Sequence, residues 1–301
     1  LHRPNVLSSL LEPPTLLVQK HRYIALKVYI HSSKVNRKVE VLKHLPTINT
    51  KHPGRGGVRS MLDAFEIDGP KGCYQCVVFE PLLTSILHFQ ATFGPPSLTV
   101  DFLKGLQQQL LLALDYLHSE AHVIHTDVQA KNIIISARDH SIFKEWGESE
   151  EAEPTPRKFS NGNTLYQSRF FHRKKGWNGY GMPLLCDFGD ARIGDAHEGL
   201  IQLDIYRARG RSWEAAPDKQ HSNEHLLAKM MAILGPPSAK LLHSHWKGNA
   251  RIPDGSLEDS EWYLEGDEKA LFMQFMRKML QWDPDDRLTA RELLMDPWLN
   301  N

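Results

Sequence analysis

The chain has 301 residues, 41% hydrophobic and 24% charged, which gives room for one large domain or two lobes and excludes general disorder. Lys plus Arg number 36 and Asp plus Glu number 36, so no net basic charge argues for nonspecific binding to nucleic acid or to a membrane surface. Three cysteines are too few for a disulfide scaffold and fit a reducing compartment.

No apolar run approaches the ~20 residues of a membrane helix, and no secretory signal is legible before Pro13. The first residue is Leu1, so the chain is expected to lack its true start. Pro4, Pro13 and Pro14 break regular structure in the opening segment, and no glycine precedes Gly54. Residues 23–30 read as a strand from their β-branched and aromatic content, with Ala25 and Lys27 on one face. Residues 34–45 read as a helix, with Val35, Val39 and Leu42 at helical spacing. A second strand is predicted at 74–80, ended by Pro81.

A long helix is predicted over 100–119, with Leu103, Leu106, Leu110, Leu114 and Leu117 on one face. Ile133, Ile134 and Ile135 form a short strand, and strand character returns at 184–186. The polar stretch between them, 137–182, lacks a period of its own and reads as an insertion or an unstructured loop. Helices are predicted at 223–234, stopped by Gly235, and at 267–281. Thr289 and Glu292 make a capping box for a final helix, which Pro297 ends. Strands come early and helices late, which predicts an α+β chain with a small mixed lobe followed by a mostly helical one.

Three constellations carry chemistry. In His125-Thr126-Asp127-Val128-Gln129-Ala130-Lys131-Asn132, an acid and an amide in one turn can face one cleft. The carboxylate can take a hydroxyl proton and the amide oxygen can hold magnesium; alone, the pair reads as well as backbone caps. Asp187-Phe188-Gly189 ends an apolar strand, where a carboxylate can bind a hard cation and where a plain turn is the bland reading. Lys27 is an ammonium on an apolar strand, with Glu40 the best helix carboxylate to pair with it; an exposed edge lysine is the alternative.

Their order is strand lysine, helix glutamate, Asp-to-Asn turn, then Asp-Phe-Gly, which is the order of the protein-kinase signature set. The chain resembles a eukaryotic protein kinase, closest to the SR-protein kinases. His-Thr-Asp at 125–127, the long spacer before Asp187, and the stretches 121–127, 201–207 and 227–237 are similar to that group. Trp282-Asp283-Pro284 with Arg287 is similar to the kinase C-terminal lobe.

The resemblance implies a two-lobed fold: an N-lobe and hinge over 1–82, and a C-lobe over 83–301 with an insertion at about 137–182 and a deletion near 208–222. It implies transfer of the ATP γ-phosphate to Ser/Thr of protein substrates, Arg/Ser-rich ones included, with ATP and Mg2+ as cofactors. It further implies a monomer of the cytoplasm or nucleus, with no direct nucleic-acid or membrane partner. Ala25 would lie over the adenine, and Glu80 and Leu82 would sit in the hinge at its edge. Lys27 would hold phosphates and Glu40 would fix Lys27; Asp127 would accept the hydroxyl proton; Asn132 and Asp187 would hold magnesium. Gln129 stands where kinases usually carry a lysine at the transferring phosphate, which predicts slower transfer. Thr126 replaces an arginine that pairs with phosphorylated activation loops, so no such pairing is expected.

Two larger departures favour an alternative, a catalytically impaired binding module or a truncated gene product. Residues 1–21 contain no glycine-rich loop; losing two charge-assisted hydrogen bonds would weaken ATP binding by roughly 3–6 kcal/mol. After Ala208 the family's Pro-Glu and buried helix are absent, so Arg287 is expected to be left as an unpaired buried charge. Cys73 and Cys76 read as core cysteines, since Cys186 is the one other cysteine and zinc needs four ligands. Acidic residues between 257 and 268 could hold Arg-rich substrates, or form a solvated loop.

Overall fold

A computed structural model describes residues 23–29, 33–69, 72–93, 98–160, 163–167, 177–194, 223–236 and 251–301. Residues 1–22, where the glycine-rich loop would fall, and 195–222, which hold the 201–207 stretch and the 208–222 deletion, lie outside the described residues.

The first sheet has three antiparallel strands in the order β1-β3-β2. Strand β1 (Ala25–Tyr29) pairs with β3 (Gly72–Phe79), placing Ala25 opposite Phe79 and Lys27 opposite Val77. Strand β2 (Met61–Gly69) flanks β3 on its other edge; its mixed Asp-Ala-Phe-Glu-Ile-Asp run shows only a weak alternation, too little to predict a strand there. Helix α1 (Ser33–His44) buries Val39, Val41 and Leu42 beside Val77 and Phe79.

A connection then fastens this sheet to the helical part. His52 accepts the Gly54 N–H on Nδ1 and reaches Asp115 Oδ2 from Nε2 at 3.1 Å. Gly54 lies so close to helix α3 (Val100–Ser119) that a Cβ there would fall 1.7 Å from the Leu112 carbonyl oxygen. Only glycine permits that approach. Helix α3 is capped by Thr99, whose hydroxyl accepts the Phe102 N–H. It is buried on more than one face: Leu106, Ala113, Tyr116 and Leu117 join the first core, while Leu111 joins a second one. The predicted leucine stripe is therefore one side of a helix that two cores enclose.

After the short strand β4 (Thr84–Ser85) comes helix α2 (Ile86–Phe93). Strands β5 (Val123–Ile124), β6 (Ile133–Ala137), β9 (Tyr180–Leu185) and β10 (Arg192–Ile193) follow α3, and β6 lies between β4 and β9. The 137–182 stretch is not featureless. It carries helix α4 (Ser141–Ala152), anchored by buried Ile142 and Phe143, and a hairpin of β7 (Arg157–Ser160) and β8 (Asn163–Tyr166). Its helical signal is a short apolar patch that the surrounding charges dilute.

Helix α5 (Asn223–Leu234) precedes a C-terminal group of α6 (Gly266–Met279), α7 (Ala290–Leu293) and α8 (Pro297–Asn300). These pack on α3 around Trp298, which is fully buried among Phe272, Phe275 and Leu111. The Thr289–Glu292 capping box forms. Pro297 does more than stop α7: it opens α8, with Asp296 accepting the Trp298 N–H. Arg287 is exposed, correcting the expectation of a buried orphan charge; its guanidinium donates to the carbonyls of Gln281 and Trp282. The result is an α+β, two-lobed architecture.

Candidate active site

The predicted turn is built around Asp127, which is 8% exposed. The Asn132 Nδ2 donates to the Asp127 main-chain carbonyl at 2.9 Å and to Oδ2 at 2.8 Å. The Gln129 Nε2 donates to Oδ1. Both carboxylate oxygens are thus aimed by amides rather than by cations. Gln129 Oε1 is buried with no hydrogen-bond partner in the structure. A flip of that amide would set oxygen against carboxylate, so the acceptor is left facing away from Asp127.

Two backbone links hold this turn against the next motif. The Cys186 N–H donates to the Asn132 carbonyl at 2.7 Å. His125 accepts the Asp127 N–H on Nδ1, which leaves Nε2 to donate to the Cys186 carbonyl at 3.0 Å. That arrangement requires a neutral imidazole, and burial pushes the His125 pKa below its ordinary value, with the Cys186 carbonyl the largest opposing influence. The ring also packs edge-on against Phe188. Thr126 and Asp187 adopt positive φ of 66° and 64°. Such backbone costs on the order of 1–3 kcal/mol per residue and clusters at functional sites. Thr126 at that φ donates its hydroxyl to the Asp190 carbonyl.

Across the cleft, Lys27 Nζ stands 3.7 Å from Asp187 Oδ1. Glu40, read as the partner of Lys27, is exposed on the outer face of α1. The residue that reaches the site from that helix is Lys38, whose Nζ lies 2.8 Å from Asp187 Oδ1. Both ammoniums flank the Tyr29 ring at 5.2 Å from its centroid. Arg59 lies over the Phe79 ring and donates to the Glu80 carbonyl at 3.2 Å. Burial lowers the Lys27 pKa most; Asp187 opposes that, and the charges of Lys38 and Arg59 reinforce it. Burial raises the Tyr29 pKa, with Asp187 adding to it, and pushes the Cys186 thiol up to about 12.

Ala25, Glu80 and Leu82 are partly buried, and Ala25 packs against the first core. The structure thus brings Lys27 to Asp187, and Asp127 to Gln129 and Asn132, but leaves Glu40 outside. Sequence reasoning missed Lys38. The available signal was its spacing to Leu42 and Leu45, four and seven residues on, both of which are buried.

Magnesium was the expected occupant at Asn132 and Asp187. A divalent ion on Asp187 Oδ1 would share that oxygen with an ammonium already 2.8 Å away, and like charges at that range repel strongly in a partly buried site. As arranged, these residues do not fit magnesium at Asp187. Among the described residues, no group of three or more His, Cys, Asp or Glu could hold a metal ion. Cys76 is a core cysteine, as read, while Cys73 is half-buried and donates to Glu66.

No family model matches the chain. A serine/threonine protein kinase of Aspergillus fumigatus is 54% identical over 322 residues, covering 94% of this chain and 79% of that protein. The protein kinase dsk1 of Schizosaccharomyces pombe is 36% identical over 119 residues, 38% of this chain and 22% of its own length. SRSF protein kinase 3 of Mus musculus is 28% identical over 148 residues, 46% of this chain and 26% of its own. A crystallised kinase domain superposes with a TM-score of 0.61 at 19% identity, covering 94% of this chain and 89% of that domain; it speaks to the fold alone.

Proposed function

The chain belongs to the protein-kinase family, close to the SR-protein kinases, and from that premise we propose that it moves the γ-phosphate of ATP to Ser/Thr hydroxyls of protein substrates. The observation that carries this reading is the Asp127 carboxylate, buried and aimed by Asn132 and Gln129. A carboxylate so held accepts the proton of an attacking hydroxyl, leaving the alkoxide oxygen to bond to phosphorus as the bond to ADP breaks. Lys27 and Lys38 supply positive charge to the phosphates. Ala25 lies against the adenine, Glu80 and Leu82 border its edge, and the lobes divide at about residue 82.

Protein kinases as a class use ATP and magnesium; here no step is assigned to the metal. For the substrate we propose Ser/Thr in Arg-rich sequence. Part of the acidic run is already engaged: Glu258 pairs with Arg277, and Glu268 with Lys104 and the Trp298 indole. Glu265 and Asp267 remain exposed for such contacts. Cytoplasm or nucleus is the proposed location; no helix among the described residues is long and apolar enough to cross a membrane.

Labelled-phosphate transfer to an Arg-Ser peptide, lost in Asp127→Asn, tests the reading. One observation favours a second reading, a nucleotide-binding module without transfer: the residue that reaches the site from α1 is the cation Lys38, and not the expected carboxylate Glu40. Nucleotide binding without turnover by the folded chain would select it.

A further inference from the structure

The Lys38–Asp187 contact places a positive group on the carboxylate that was expected to hold a metal. The ammonium is well sheltered, its side chain 15% exposed, and it comes from a helix fixed by the buried Val39, Val41 and Leu42. Space for it is provided by Gly189: a Cβ at that position would fall 2.3 Å from Lys38 Cε and 2.5 Å from Nζ. The Lys38 side chain therefore occupies the room that this glycine leaves. Lys27 stands on the same oxygen at 3.7 Å, and the Arg59 charge is close enough to be felt at Lys27. These three cations leave the immediate surroundings of Asp187 with an excess of positive charge, Asp127 being held by amides instead. A cleft that binds its polyphosphate through a divalent ion leaves one or two carboxylates open to hold that ion.

We propose that Lys38 replaces the divalent cation at Asp187, so that this cleft binds a nucleoside triphosphate in its metal-free form, on the ammoniums of Lys27 and Lys38. The idea rests on the nucleotide-binding half of the kinase reading and not on phosphate transfer. Because the ammonium already neutralises Asp187, the anion does not meet that carboxylate uncompensated on entry. A magnesium-chelated nucleotide must instead displace Lys38 from Asp187 or bind without reaching it.

The test is a titration of the full chain with a fluorescent N-methylanthraniloyl ATP, run in EDTA and again in excess magnesium. The expected result is metal-free affinity equal to or tighter than that in magnesium. Lys38→Met should weaken metal-free binding about tenfold, the loss of one charge contact, while circular dichroism reports an unchanged fold. Lys38→Glu should reverse the preference, making binding at least about tenfold tighter in magnesium than in EDTA. Wild-type binding that appears in magnesium and disappears in EDTA overturns the proposal and leaves the kinase reading standing. Binding in neither condition overturns both. Metal-free binding with no phosphate transfer supports the proposal and removes the transfer reading.

Discussion

The Asn132 amide holds Asp127 at two points, its main-chain carbonyl and its carboxylate. A single side chain thereby fixes both where the acid sits and which way it faces. Asn132→Ala removes both bonds and leaves a buried carboxylate oxygen with one donor fewer. We expect a stability loss of about 1–3 kcal/mol and transfer slowed about 10²-fold through misplacement of the acid. Urea denaturation and initial rates measure the two.

Gln129 gives a prediction of the opposite sign. Its Nε2 donates to the Asp127 carboxylate, but as a neutral amide it brings no charge to a transferring phosphate. Gln129→Lys should raise the transfer rate about tenfold by adding a charge-assisted contact, whereas Gln129→Leu should lower it. Rates at saturating nucleotide distinguish these from changes in affinity.

The sequence made the site's chemistry readable where a motif fixes spacing. Asp127, Gln129 and Asn132 converge because five residues of turn leave little freedom, and Asp187 follows because β9 must pair with β6 beside that turn. The helix 100–119 was legible because twenty residues of leucine period admit one reading. Lys38 was not, because the choice of Glu40 followed chemical type rather than helical phase. Residues 38 and 42 share the inner side of α1, with Leu45 buried just past its end, and Glu40 shares the outer side with Lys43, which is also exposed. Strand β2 and helix α4 were hidden for a different reason: their apolar residues are few and interleaved with charged ones, so the local pattern is weak.

Acid should act through His125. The fold needs its imidazole neutral, and burial holds its pKa below the ordinary value of about 6.5. Between that folded value and 6.5 the unfolded chain binds the extra proton, so stability falls as pH drops below about 6.5. His125→Gln should flatten this part of the profile, at a cost in stability at every pH. Urea midpoints from pH 8 to 5 check the slope.

The second core predicts a purely structural effect. Trp298 is fully buried, packs on Phe272 and Phe275, and donates its indole N–H to Glu268 at 2.7 Å. Trp298→Ala should cost about 3–5 kcal/mol. Met295→Ala, four-fifths exposed on the same surface segment, should change stability by less than about 0.5 kcal/mol. Thermal unfolding of the two variants separates core from surface.

Transfer of the labelled γ-phosphate from ATP to an Arg-Ser peptide, followed in parallel for the wild-type chain and Asp127→Asn, tests the central claim most directly. The account predicts steady incorporation by the wild type and none by the variant, with both melting cooperatively. A folded wild-type chain that transfers nothing, or a variant that transfers equally well, would contradict it.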